Sequence, residues 1–347
     1  MLLKYLINMD RKTKIIATVG PSLSSESKIK KIIDTGANVL RINFSHGTLE
    51  DHENVISWAR KSNKQVAIMQ DIQGPKIRTG ISSENTFLEK SKNVTLTNIE
   101  TESNNDIVFI NYENLLRDVN VDDRVFIDDG QIVLKVVEKE NDKLEALILI
   151  GGELRDNQGV AFPDSNLSVS AITEKDIEHL KFGSEHDVDF VAVSFVRNAS
   201  DINLVKEIIP KDVKVIAKIE LKTALDNIDE ILDVADGVMV ARGDLGVQLP
   251  LEQVPFVQKQ ILDAANKRGK ISITATEMLQ SMKTSYRPTR AEVTDITNAI
   301  LEGSDAVMLS AETSIGDNPN RVVEVMSIIC KETCLLYTSD AADDCWS

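Results

Sequence analysis

The chain has 347 residues, 42% of them hydrophobic, which is the composition of a globular protein long enough to bury a large core. Asp and Glu (55) outnumber Lys and Arg (39), and a formal charge of −16 disfavours nonspecific binding to nucleic acid or to an anionic membrane. No apolar run approaches the ~20 residues of a transmembrane helix, and Cys330, Cys334 and Cys345 crowd the C-terminus instead of forming a disulfide framework, so a reducing, cytoplasmic location is expected.

Residues 1–10 are too short for a signal peptide and lack a small-residue cleavage site, and Met9 is a candidate start because patterned sequence begins only at Arg11. Short β-branched runs at 14–19, 38–44 and 65–71 alternate with segments at 25–35 and 51–62 that carry apolar residues at helical spacing. Between Pro75 and Pro163 the rhythm changes to alternating strands at 93–97, 124–128 and 131–137, with Asp128-Asp129-Gly130 as a hairpin signal. Strand-like runs then return at 189–195, 213–219, 237–241, 271–275 and 305–310, interleaved with helical segments that include 199–209, 254–267 and 289–301. Eight strand–helix units, with strands too uniformly apolar to have a solvent face, predict an α/β protein: a (β/α)₈ TIM barrel. The open doubly wound sheet is the alternative, and the opening Thr18-Val19-Gly20-Pro21, with no Gly-x-Gly-x-x-Gly turn, counts against a dinucleotide version of it. The expected organisation is an N-terminal extension (1–10), barrel (11–75), a small all-β lid domain inserted after the third barrel strand (76–162), barrel (163–332) and a tail (333–347).

Barrel chemistry sits at the carboxyl ends of the strands. Those positions read Arg41, Asn43, Ser45 and His46 after the second strand, and Asp71, Lys76 and Arg78 after the third. The fifth gives Lys218 and Glu220, the sixth Arg242, Gly243 and Asp244, the seventh Thr276, and the eighth Ser310 and Glu312. Lys218 and Glu220 alternate with Ile219 and so share a face. As an isolated pair they read as a structural ion pair, but the other strand ends make an active site the better reading. Glu220 and Asp244 on neighbouring strands suit Mg²⁺ or Mn²⁺, which take oxygen ligands and keep positions for water and substrate. Arg41, Arg78 and Lys218 suit a phosphoryl group, and Gly243 allows close backbone approach to an anion. Thr276 serves equally well as an orienting hydroxyl or as a capping or core residue. The set fits Mg²⁺-assisted phosphoryl transfer without a P-loop.

These residues resemble pyruvate kinase from about Arg11 to about Lys331. The similarity rests on Arg41-Ile-Asn-Phe-Ser-His-Gly47, Ile127-Asp-Asp-Gly130, Ala217-Lys-Ile-Glu220, Met239-Val-Ala-Arg-Gly-Asp-Leu-Gly246, Ala275-Thr-Glu-Met-Leu279, Arg287-Pro-Thr-Arg-Ala-Glu292 and Met308-Leu-Ser-Ala-Glu-Thr313. The resemblance implies phosphoryl transfer from phosphoenolpyruvate to ADP in glycolysis. It implies Glu220 and Asp244 as Mg²⁺ ligands and Lys218 as the cation for the phosphoryl group in flight. Backbone at Gly243 and Asp244, with Thr276, would hold the substrate carboxylate, and Thr276 and Ser310 would serve enolate protonation. Arg41, Asn43, His46 and Arg78 match positions near the phosphates and nucleotide, and a second Mg²⁺ would arrive with ADP. Full-length relatives form homotetramers through a further C-terminal domain.

Departures from the family pattern are also informative. Many members bind K⁺ through the equivalents of Asn43, Ser45, Asp71 and a following Thr; here Ile72 replaces the Thr and Lys76 replaces a Glu. A Lys ammonium can supply the charge of a bound K⁺, so the resemblance is to a K⁺-independent subset. Gln158 stands where a Lys is usual, and Leu221 where Asn or Thr is common. The stretch 333–347 matches neither barrel nor family and reads as translated adapter or assembly read-through, so a truncated gene is expected. Two rival readings stand beside the kinase: a Mg²⁺-dependent barrel lyase or aldolase acting through a pyruvate enolate, and an inactive fragment.

Overall fold

The computed structural model describes residues 11–62 and 64–343, with side chains through Leu335. The expected extension at 1–10 and residues 344–347 lie outside the described residues. Eight parallel strands close into a barrel: β1 (Lys14–Val19), β2 (Val39–Asn43), β3 (Ala67–Ile72), β12 (Phe190–Val193), β13 (Lys214–Ile219), β14 (Gly237–Ala241), β15 (Ile271–Ala275) and β16 (Ala306–Leu309). Hydrogen-bonded neighbours run β1-β16-β15-β14-β13-β12-β3-β2, with β2 back beside β1, which is the predicted barrel. The strands are buried on both faces because helices cover the outside while side chains fill the inside. Ile15, Leu40, Ile68, Val191, Val215 and Val238 pack outward in the main core. Ile16, Val39, Met69, Ala192, Ile216 and Met239 belong to a separate inner cluster.

That alternation places the chemistry. Two residues beyond the inner apolar layer, on the same inward face, stand Thr18, Arg41, Asp71, Ser194 and Lys218. A two-residue period thus carries each strand from an oily plug to a polar ring at its carboxyl end. Three helices start with reciprocal capping boxes: Thr48 with Asp51 after β2, Thr173 with Asp176 ahead of β12, and Thr289 with Glu292 between β15 and β16. Each satisfies backbone N–H groups that would otherwise lack partners, and losing such a cap costs about 1 kcal/mol.

Between β3 and β12 the chain builds a second body of strands. These are β4 (Phe87–Leu88), β5 (Asn93–Thr97), β6 (Ile107–Phe109), β7 (Arg124–Ile127), β8 (Ile132–Lys139), β9 (Leu144–Ile150), β10 (Gly152–Glu153) and β11 (Val160–Ala161). Six of them form one sheet in the order β11-β7-β8-β9-β5-β6, around a core of its own that includes Val94, Leu96, Ile127, Leu134 and Ile148. β7 and β8 pair antiparallel across the Asp128-Asp129-Gly130 turn, whose three residues all have positive φ. Asp tolerates this conformation and Gly favours it, so the hairpin signal has a direct backbone cause. The helix Pro319–Asp343 runs unbroken across residue 333, and Thr333 is buried with its hydroxyl donating to Ile329 O.

Candidate active site

A buried polar network joins the ends of five strands, β1, β2, β3, β12 and β13. Asp71 on β3 accepts from Arg41 Nε at 2.6 Å through Oδ2 and from Lys218 Nζ at 3.2 Å through Oδ1. Arg41 Nη1 donates onward to Thr18 Oγ1 at 3.0 Å. Lys218 Nζ also lies 2.9 Å from Glu220 Oε1 and donates to Ser194 Oγ at 2.6 Å. The other carboxylate oxygen of Glu220 accepts the backbone N–H of Phe195 at 2.7 Å. Burial by itself would raise the Asp71 pKa, but Arg41 and then Lys218 outweigh it and hold the carboxyl below its usual range. Burial likewise opposes the Lys218 charge, yet Asp71 and then Glu220 hold the ammonium above its usual range. Glu220 is pushed up to about 7 by burial, with Lys218 opposing the rise and Asp244 adding to it. The two directions are compatible because Asp71, rather than Glu220, is the leading counter-charge of the lysine.

Asp244 stands exposed in the short helix Arg242–Gln248 that follows β14, the strand beside β13. It acts on Glu220 as a like charge, and no third His, Cys, Asp or Glu converges with this pair in a metal-binding group among the described residues. Two close carboxylates, one of them buried and short of positive charge, fit an oxygen-seeking divalent cation that completes its shell with substrate and water. Both line a cleft of about 390 Å³ between the barrel and the inserted sheet, together with Lys76 and Asp129. Asp129 is raised by burial, by Asp244 and by Asp128, and Lys76 opposes the rise. The insert therefore brings its own carboxylate to face the barrel's.

The next strand contributes Thr276, half-buried and in a left-handed conformation (φ 68°), unusual for a β-branched residue. Its hydroxyl accepts the Gly243 N–H at 2.9 Å and donates to Ala275 O at 2.6 Å. Arg242 secures the backbone there by donating to Ala275 O and Thr276 O while pairing with Asp295 at 2.7 Å. Ser310 donates its backbone N–H to Glu312 Oε2, and the other Glu312 oxygen accepts from Leu279 N, tying the ends of β15 and β16 together.

The structure thus brings Arg41, Asp71, Lys218 and Glu220 into one network, with Asp244 beside it, and sets Thr276 against Gly243. The remaining expected residues are more dispersed. Asn43 Oδ1 accepts the Ser45 N–H at 3.2 Å, and His46 is exposed. Arg78 is held on the insert side, its guanidinium donating to Asn157 O and its backbone N–H to Asn111 Oδ1. Lys76 is exposed in the cleft and interacts with Asp129, whereas Asp71 already has Arg41 and Lys218 as counter-charges. Reading strand ends missed Thr18, Ser194, Asp129 and Asp295. Ser194 had a usable signal: Val193 pairs with Ala217 in the sheet, so Ser194 is level with Lys218.

Comparison with known proteins agrees with this geometry. The family model "Pyruvate kinase, barrel domain" matches residues 10–323. A pyruvate kinase of Thermotoga maritima is 45% identical over 330 residues, covering 93% of this chain and 71% of that protein. One from Staphylococcus aureus is 45% identical over 344 residues, covering 96% of this chain and 58% of its own length. A crystal structure of a pyruvate kinase from Cryptosporidium parvum superposes with a TM-score of 0.90 at 36% identity, covering 93% of this chain and 69% of that one. A barrel whose strand ends carry this ion network, matched along nearly its whole length by such relatives, makes the chain a member of the pyruvate kinase family and a phosphotransferase.

Proposed function

We propose that the protein transfers the phosphoryl group of phosphoenolpyruvate to ADP, giving pyruvate and ATP, in the cytoplasm. The observation that carries this reading is the buried Lys218 ammonium, fixed between Asp71 and Glu220 beside the second carboxylate, Asp244. A fixed cation in a water-poor site stabilises charge on a transferring phosphoryl group without reorganising during the reaction. Glu220 and Asp244 would hold Mg²⁺ or Mn²⁺, which would supply charge neutralisation at the phosphoryl oxygens, and a second Mg²⁺ accompanies ADP. Arg41, kept extended by Asp71 and Thr18, adds positive charge at the same strand ends.

The Gly243 N–H already has an acceptor in Thr276 Oγ1. A substrate carboxylate would take over that N–H, together with backbone at Asp244, and would compete with Ala275 O for the Thr276 hydroxyl hydrogen. Thr276 is then placed to assist enolate protonation, with Ser310 as a relay. Asn43, His46 and Arg78 would face the nucleotide, and the insert at 76–162 acts as a lid over the cleft. K⁺ is not required in this reading, because Lys76 brings a permanent cation to the cleft that Glu220 and Asp244 line. Asn43, Ser45 and Asp71, the equivalents of a monovalent-cation site, then serve without that ion.

The test is ATP formation from phosphoenolpyruvate and ADP by the purified chain, run beside pyruvate release from longer keto-acids without nucleotide. Nucleotide-dependent ATP formation supports the kinase; keto-acid cleavage alone would replace it with a lyase, and the absence of both activities with a non-catalytic fragment.

A further inference from the structure

Lys218 has three ammonium hydrogens and three acceptors: Asp71 Oδ1 at 3.2 Å, Glu220 Oε1 at 2.9 Å and Ser194 Oγ at 2.6 Å. The acceptors differ in kind. Glu220 is the carboxylate a divalent cation would claim, and Asp71 is shared with Arg41. Ser194 alone is neutral, and its contact with the other charge in reach, Asp71 Oδ1 at 3.4 Å, is the longest it makes. It is 3% exposed, and its own hydrogen is directed to Ile72 O at 2.7 Å, which turns an oxygen lone pair towards the ammonium.

The backbone makes this placement rigid. Ser194 follows β12 directly, and Phe195 next to it has φ 54° and donates its N–H to Glu220. One dipeptide therefore holds both members of the Lys218–Glu220 pair. It lies close against Gly74, itself at φ 67°, where an added Cβ would come within 3.1 Å of the Phe195 ring and 3.3 Å of Ser194 O.

We propose that Ser194 is a positioning residue for the reaction: its hydroxyl fixes the direction of the Lys218 ammonium when Glu220 is engaged elsewhere. The proposal rests on the phosphoryl-transfer reading for its consequence, but the contact itself can be tested without turnover. Without Ser194, the ammonium keeps its charge through Asp71 but loses the contact that sets its rotation and height. Misplacement by about 1 Å of a group that acts on a transition state costs on the order of 10²-fold in rate.

The experiment uses the whole chain as wild type, Ser194→Ala, Ser194→Thr and Lys218→Met. Lysine ammonium ¹H–¹⁵N spectra are recorded, the Lys218 signal being the one missing from Lys218→Met. The proposal expects a slowly exchanging signal that persists in Ser194→Thr and is lost in Ser194→Ala. It also expects kcat to fall about 10- to 100-fold in Ser194→Ala with the KM for phosphoenolpyruvate little changed, and to recover in Ser194→Thr. An unchanged ammonium signal in Ser194→Ala overturns the proposal, as does wild-type kcat in that variant. If the wild type makes no ATP, the functional reading fails while the ammonium spectrum still decides the role of Ser194.

Discussion

The Lys218 ammonium and the Asp71 carboxylate, 147 residues apart in the chain, meet at 3.2 Å inside the barrel mouth. Arg41 takes the opposite oxygen of the same carboxylate. One buried anion therefore balances two buried cations, and the site depends on it for both stability and geometry.

Replacing Asp71 with Asn removes that anion while keeping the shape. Arg41 and Lys218 then face each other with only Glu220 to compensate, and stability is expected to fall by about 3–5 kcal/mol, the usual cost of breaking a buried ion pair from one side. Urea unfolding of Asp71→Asn measures this. A midpoint equal to that of the wild type would mean that the network contributes nothing to folding.

Lys218→Met is the sharpest test of the charge assigned to the moving phosphoryl group. Turnover should drop by on the order of 10³-fold, as when a preorganised electrostatic group is lost. Affinity for Mn²⁺, followed by electron paramagnetic resonance, should stay the same or rise, because Glu220 loses its competing ammonium. Surviving turnover would remove Lys218 from the mechanism.

Lys76 carries the prediction about monovalent ions. Activity in tetramethylammonium salts should equal activity in K⁺ salts. Lys76→Glu should lose about 10-fold or more in the organic salt and regain part of it with K⁺, since a carboxylate cannot supply the missing positive charge. A wild-type enzyme that is silent until K⁺ is added would contradict this.

His52 makes acid stability predictable. It is buried under Phe44, with ring centroids 4.2 Å apart, and its pKa is lowered from 6.5 to about 4 by burial and then by His179, with Asp51 opposing. The folded state thus favours the neutral ring. Its contribution is fully present above pH 6.5 and disappears as the pH falls towards 4, an upper limit of ~3 kcal/mol at 1.36 kcal/mol per pKa unit. In His52→Phe the unfolding midpoint should change much less between pH 7 and pH 4.5 than in the wild type. Identical pH dependence in both proteins would show that other groups set the acid limit.

Much of this protein was legible in its linear order. Each barrel strand is local, apolar and β-branched, so its position follows from a run of a few residues, and the observed β1 and β14 span the predicted 14–19 and 237–241. Three of the five polar-ring residues, Arg41, Asp71 and Lys218, were identifiable as strand-end exceptions to an apolar run, and Thr18 was not singled out. Ser194 was not, because a serine after a strand is unremarkable until the register with β13 sets it level with Lys218. Asp129 was visible as part of a hairpin signal and of the Ile127-Asp-Asp-Gly130 motif, but not as a cleft residue; its approach to Asp244 depends on how the insert sits against the barrel.

By itself, then, the sequence determined the barrel, the inserted strands and the residue types at the mouth, because periodicity and turn chemistry are short-range properties. Only the tertiary structure decided who pairs with whom. Asp71 could have balanced a bound cation, Arg41 or Lys218, and the closed sheet, by bringing strands distant in sequence side by side, assigned it to both side chains. Such pairing is governed by distances of about 3 Å between groups on different strands, and no property of any one strand contains them.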